Sequence, residues 1–175
     1  INVLLEAMGH YSGAERVYTF ENVHTPDIFT NTFEWCAEGV TPQIDNLQDI
    51  ELSDIPVWYP TFQRGDNIII EDLEQVKDIM PSEYKIMKAQ DIRTEISFPS
   101  RQKTEVMGFI GMDNPRLEKS QGLISLLALV SGHLGGIWKS MRADQVLEEK
   151  QHELAQERQF SEVLSRDYTS VYYLN

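Results

Sequence analysis

The chain holds one cysteine, Cys36, in 175 residues. An internal disulfide framework is therefore excluded, and a reducing compartment suits the composition. A catalytic Cys36 would need a neighbouring base to raise its thiolate fraction, and the adjacent sequence supplies no histidine. A half-buried structural cysteine is expected. The histidines His10, His24, His133 and His152 are widely separated, and no two stand at ligand spacing, so no metal site is expected. Basic residues are scarce, with 15 Lys and Arg against 28 Asp and Glu and a formal charge of −13. Without a Lys/Arg stripe, nucleic-acid and anionic-membrane partners are not expected. No uninterrupted apolar run approaches the ~18 residues of a membrane span, so no membrane contact and a cytoplasmic location are expected of these residues. GDNIII and GFIG lack the glycine run and the lysine of a phosphate loop, and nucleotide hydrolysis is not expected. The start at Ile1, with no initiator methionine or leader, and the pattern cut short at the end predict a piece of a longer polypeptide.

Hydrophobic residues make up 41% and aromatics 10%, the balance of a globular protein. Gln121 to Leu164 contains no proline, and Leu127, Val130, Leu134, Ile137 and Met141 recur at alternating steps of three and four. A long helix with an apolar seam follows. Beyond Met141 the sequence turns charge-rich; Ala143, Leu147, Leu154 and Leu164 keep a heptad-like spacing, whereas Lys150 and Glu157 fall where apolar residues belong. The first half is expected to pack on its own domain and the second to leave it as a coiled-coil-like linker, a rod on the order of 60 Å.

Upstream, Ile1, Leu4, Leu5, Met8 and Tyr11 predict a first helix stopped by Gly13. Glu15–Glu21 and Thr30–Val40 alternate as a β-hairpin, with Glu34 and Glu38 on a solvent-facing side. Pro56 and Pro60 break the next stretch into short helical turns over the sheet, crowding Trp58, Tyr59 and Phe62. Asn67–Ile70 reads as a buried strand, and Pro81–Ser82–Glu83 as a helix start with Ser82 as N-cap. Arg93–Pro99 and Glu105–Pro115 read as strands joined by the turn SRQK. The connections are too short for parallel crossovers, which predicts an α+β fold: one antiparallel sheet of about five to six strands, first and last helices on one face, short helices over the other.

TNTFEWCAEGVTPQIDNLQDI, IPVWYPTFQRGDNIII and EVMGFIGMDNPR, in this order and spacing, resemble the GAF sensory domains of bacterial signalling proteins of the diguanylate cyclase (GGDEF) and histidine kinase type. The resemblance covers residues 1–141, followed by a helical linker at 142–165. Its most specific part is Gly108–Arg116, where Gly108 and Gly111 allow close approach to the last strand and Asp113–Asn114–Pro115 turns into the long helix. The end of the chain, 166–175, resembles the beginning of a PAS-like or GGDEF-associated module, with a strand at Ser170–Leu174.

The resemblance implies a pocket between sheet and cover that holds an unidentified small ligand, with Trp35, Trp58, Tyr59, Phe62, Tyr84 and Asp113 as its candidates. The cyclic-nucleotide signature is absent, and Cys36 lies outside the motif context of tetrapyrrole attachment; no cofactor is assigned. It further implies a non-catalytic module that dimerises through its first and last helices and relays a signal to a covalently linked output domain. A diguanylate cyclase output is read first, a histidine kinase second. A ligand-free spacer, a monomer whose last helix caps its own core, and a small-molecule enzyme without a visible base–nucleophile pair are the competing readings.

Overall fold

A computed structural model of the chain describes residues 1–23, 25–116, 118 and 120–172, and side chains at all of these except 120–121 and 162–172. It divides into two compact units, Ile1–Gly135 and Gly136–Asn175.

In the first unit, helix α1 (Asn2–Ser12) precedes the hairpin of β1 (Arg16–Glu21) and β2 (Ile28–Cys36). Gly13 closes α1 in the left-handed region at φ 65, where a side chain would be strained, and donates to Gly9 O at 2.8 Å. A two-residue strand β3 (Ile50–Glu51), helix α2 (Trp58–Arg64), strand β4 (Ile68–Ile70), a 3-10 turn at Leu73–Val76 and helix α3 (Pro81–Lys88) come next. Strands β5 (Glu95–Gln102) and β6 (Glu105–Asp113) complete the sheet before helix α4 (Ser120–Tyr172). The order is β3-β2-β1-β6-β5-β4, every pairing antiparallel.

The two middle strands explain the architecture. All six residues of β1 are buried, so the sheet is covered on both sides at its centre. Alternation along β1 and its partner β6 sorts their side chains between two cores. Tyr18, Phe20 and Phe109 join Trp58, Phe62 and Met87 in the core beneath the short helices. Val17, Ile110 and Met112 point the other way, where Leu5 and Met8 of α1 and Leu123, Leu127 and Leu134 of α4 are also fully buried. The α+β fold expected from the sequence is the one observed.

Several local readings change. Strand β2 starts at Ile28 and ends at Cys36, so Glu38 lies in the following turn rather than on a strand face. Strand β4 is an edge strand paired only to β5, and its middle residue Ile69 is 44% exposed; a continuous apolar run does not make a strand central. Pro81, not Ser82, opens α3, with Met80 as its N-cap, because proline needs no N–H at the first helical position. The β5–β6 hairpin turns at Lys103–Thr104 alone, Gln102 pairing with Glu105, so the expected SRQK turn is mostly strand. Asn114 does make the turn after β6: at φ 52 it sits left-handed, and its Oδ1 accepts from Arg93 N at 2.8 Å and Thr94 N at 3.1 Å.

The second unit is the remainder of α4. Ala143, Leu147, Lys150, Leu154 and Glu157 are all exposed on it. The strand expected at Ser170–Leu174 is helix through Tyr172, since extending an existing helix is easier than starting a strand with no partner. The side chain of Leu164 and the residues beyond Tyr172 lie outside the described set, as does His24. Among the described residues, Gly122–Ser161 is the one helical stretch long and apolar enough to cross a bilayer, by length and composition only. Within it Leu123, Leu127 and Leu134 are buried, whereas Leu129, Ile137 and Met141 are exposed.

Helix α1 lies so close to β2 that a Cβ at Gly9 would overlap the Trp35 ring. Gly9→Ala, which would gain ~0.5–1 kcal/mol in an open helix, is expected here to lose about 1–3 kcal/mol by overpacking. Urea midpoints of Gly9→Ala alone and in a Trp35→Ala background measure this, the second background restoring the gain.

Candidate functional site

Short helices and loops over one face of the sheet leave a cavity of about 60 Å³. One end is aromatic. Phe20 stacks on Phe109 at 4.8 Å between ring centroids, and Phe29 and Trp58 approach the same Phe109 ring at 5.8 and 6.0 Å. Alternation of β1, β2 and β6 delivers the three phenylalanines to this face, and the N-terminus of α2 delivers Trp58. The indole Nε1 of Trp58 has no hydrogen-bond partner among the described residues, though the ring is only 6% exposed.

The other end is polar and almost wholly buried. Arg16 Nε donates to Asp113 Oδ2 at 2.7 Å, with the two side chains 4% and 1% exposed. The rest of the guanidinium donates to Gln90 O at 3.2 Å and Thr41 O at 3.4 Å. Tyr18 Oη lies 3.0 Å from Asp113 Oδ1 and 3.3 Å from Glu95 Oε1, and Ser97 Oγ bonds the same Glu95 oxygen. This bridge depends on Gly111, which faces Tyr18 across the β1–β6 ladder: a Cβ there would stand 2.5 Å from the phenol ring. Glu34, on β2, accepts from the backbone N–H of Gln43 at 2.9 Å and of Ile44 at 3.1 Å.

Burial dominates the titration of this cluster. It raises Asp113 to about 6, outweighing the attraction of Arg16. Glu95, buried with Asp113 nearby, is driven well above the usual carboxylate range, which favours its neutral form. Tyr18 is raised for the same reasons, burial first and then the Asp113 charge. Burial and then Glu34 push the Cys36 thiol up to about 11, so it is protonated and not a nucleophile at neutral pH.

Of the six residues singled out in the sequence, Trp58 and Asp113 line the cavity. Phe62 is buried behind it, against Trp58 at 6.1 Å and Phe109 at 5.1 Å. Tyr59 and Tyr84 pack on the rim of the same core, and Tyr84 Oη bonds Glu74 at 3.1 Å. Trp35 belongs to the opposite face, edge-on to His10 of α1 at 5.2 Å. Strand alternation accounts for that: Glu34 and Trp35 are neighbours and must point to opposite sides. Glu34 is accordingly not a solvent-facing acid but a lining residue. The sequence reading missed Arg16, Tyr18 and Glu95; the one signal for them was a charged or polar residue at alternate positions of strands that are otherwise apolar. Among the described residues, no group of three or more His, Cys, Asp or Glu side chains is placed to hold a metal ion.

The buried carboxyl of Glu95 generates a pH test. The unfolded chain releases this proton near the ordinary value of 4.5, whereas the folded chain keeps it to far higher pH. The unfolded state thus binds fewer protons above ~4.5, and stability falls as pH rises, by up to about 1.4 kcal/mol per unit. Glu95→Gln mimics the neutral carboxyl. Its urea stability is expected to exceed that of the parent by a margin that widens as pH rises above about 5 and closes near pH 4; parallel curves would show a charged Glu95.

No protein-family profile matches the chain. A curated relative, the methanogenesis regulatory histidine kinase FilI of Methanothrix harundinacea, is 32% identical over 152 residues, which is 82% of this chain and 17% of that protein's length. Among solved structures, GAF3 from Slr1393 of Synechocystis sp. PCC6803, in its photoproduct state, superposes with a TM-score of 0.61 at 16% identity, covering 82% of this chain and 94% of the other. The red/green cyanobacteriochrome NpR6012g4 gives 0.64 at 14% identity with the same coverages of 82% and 94%. The GAF domain of an Acinetobacter phosphoenolpyruvate-protein phosphotransferase gives 0.62 at 13% identity, covering 81% of each chain. Agreement of this extent at such low identity concerns the arrangement of the sheet and its helices, not the contents of the cavity. The chain has the fold of GAF domains.

Proposed function

We propose that the domain is a non-catalytic sensory module of a signalling protein, holding a small ligand between sheet and cover and relaying its presence through α4 to a histidine kinase output. The observation that carries the reading is the cavity itself, closed by aromatic rings at one end and by the buried Arg16–Asp113 pair at the other. A buried ion pair is weak as a source of stability, because apolar residues of the same volume commonly serve as well or better. At a cavity wall it has a second use, as a set of fixed dipoles and charges that a ligand can meet.

The kinase output has the support of the FilI relative, a histidine kinase of which this chain spans 17%. The diguanylate cyclase reading rests on the resemblance of the flanking segment, in which Ser170–Tyr172 is helix and not strand. The relay requires two arrangements of a helical pair that the ligand binds unequally. We assign the pair to a homodimer through the first and last helices. Leu5, Met8, Leu127 and Leu134 are fully buried, so the exposed apolar residues open to a partner include Val3, Leu4, Leu129, Ile137 and Met141, together with Leu147 and Leu154. A cytoplasmic module without membrane or nucleic-acid contact is part of this reading.

Lys150 and Glu157 interrupt the apolar spacing of the exposed part of α4. Replacing both by leucine is expected to tighten self-association on the order of 10–100-fold, from a fraction of the ~1.5–3 kcal/mol that each buried leucine contributes. Sedimentation of the fragment reads the association, and autophosphorylation of the intact protein reads the output. Tighter association with unchanged autophosphorylation would remove α4 as the relay.

A further inference from the structure

The charge around the cavity is one-sided. Arg16, Glu34 and Asp113 are the charged residues that line it, and they leave one negative charge in excess. The one cation is already committed: each guanidinium nitrogen donates, to Asp113 at 2.7 Å, to Gln90 O at 3.2 Å and to Thr41 O at 3.4 Å. Two of the five guanidinium N–H groups remain, but an incoming anion would also meet two carboxylates. Asp113 accepts one bond at each oxygen, so about half of its roughly four lone-pair sites stay open, whereas Glu34 already takes the backbone N–H groups of Gln43 and Ile44 and the Cys36 thiol. Opposite them stand Phe20, Phe29, Trp58 and Phe109, whose ring faces carry the negative end of the aromatic quadrupole. Both ends of the cavity therefore favour positive charge.

Size narrows the class further. At about 60 Å³ the space is well below the ~150 Å³ that admits a benzene ring. Large planar or polyanionic ligands do not fit it as it stands.

We infer that the cavity takes a small aliphatic ammonium compound, its charged head against Glu34 and Asp113 and its alkyl body against the aromatic rings. The inference rests on the sensory reading above and adds the chemical class of the signal. Recognition comes from two sources that reinforce each other. A cation beside aromatic rings gains most when desolvated, and Glu34 and Asp113 supply the compensating negative charge. An alcohol of the same size would gain the apolar contact alone. A carboxylate of the same size would bring like charge into a buried site.

Thermal shift and titration calorimetry on this fragment, at constant ionic strength, test it with four probes: methylammonium, ethylammonium, propionate and 1-propanol. The two cations are expected to raise the melting temperature and to bind about tenfold or more tightly than the other two. Glu34→Gln retains an acceptor for Gln43 and Ile44 but removes the charge, and is expected to lower ammonium affinity about tenfold while leaving 1-propanol unchanged. Trp58→Phe provides a second variant that touches no ion pair; it is expected to weaken the cations and not the alcohol. Preference for propionate or 1-propanol would overturn the ammonium assignment and leave the sensory reading standing. No binding by either cation would overturn the assignment too, and the leucine substitutions in α4 judge the relay independently of any ligand.

Discussion

The buried contact between Arg16 and Asp113 is the constraint on which this domain's arrangement turns. It joins the first residue of β1 to the last residue of β6, which face each other in the ladder. Losing one partner of such a pair strands a charge in the interior, at a cost of about 3–5 kcal/mol. The guanidinium also reaches the carbonyls of Thr41 and Gln90, one in the loop after β2 and one in the loop after α3. A single side chain thus fixes the sheet's centre and two pieces of its cover. Asp113 in turn accepts from Tyr18, whose hydroxyl also meets Glu95 on β5. The polar cluster crosses three strands in a line, β1, β6 and β5, and Gly111 is the gap that lets the phenol lie across the middle one.

What the cluster does to proton affinity follows first from burial and then from which acid the cation stands beside. The phenol of Tyr18 has one hydrogen for two carboxyls, so Asp113 and Glu95 cannot both be served as ions by it. Arg16 stands beside Asp113 and not beside Glu95, and the proton therefore settles on Glu95. The result is a graded interior: a neutral acid deepest, an ionised acid at the cavity wall, a guanidinium shared with the cover. Such an arrangement keeps one carboxylate ionised inside a largely apolar core.

Much of this domain was legible in the chain because alternation and helical spacing report burial directly. The helix stopped by Gly13, the hairpin of β1 and β2, the strand ending in Asp113–Asn114 and the seam through Leu127 and Leu134 all have regular apolar periods. Ile69 shows the limit of that signal, since three isoleucines in a row say nothing about whether a strand has one neighbour or two. Strand β3 is two residues long and has no period to read. The site was less legible than the fold. Aromatic residues near one another in sequence, Trp58, Tyr59 and Phe62, drew attention to the cover, but α2 turns them to different depths. Trp35 was assigned to the pocket side, yet it packs against Gly9 on the other. The charged wall was hidden because Arg16 and Asp113 are 97 residues apart, and no local pattern relates them.

The placement of tethers decides how a change in the cavity can travel. The sheet is braced by continuous ladders and is buried on both sides at β1, so its centre offers little room to respond. The cover is held differently, by a few charged side chains gripping loop backbone: Arg16 on Thr41 and Gln90, Glu34 on Gln43 and Ile44, and Glu83 on the N–H groups of Val57 and Trp58. Two of these three tethers, Arg16 and Glu34, are themselves cavity-lining residues. Under the proposed reading, a ligand group that draws on Glu34 would act on the bonds that hold residues 43 and 44, whereas the ladder beneath would be untouched. The loop after β2 would then be the first segment to register occupancy, with the antiparallel strands as the fixed frame.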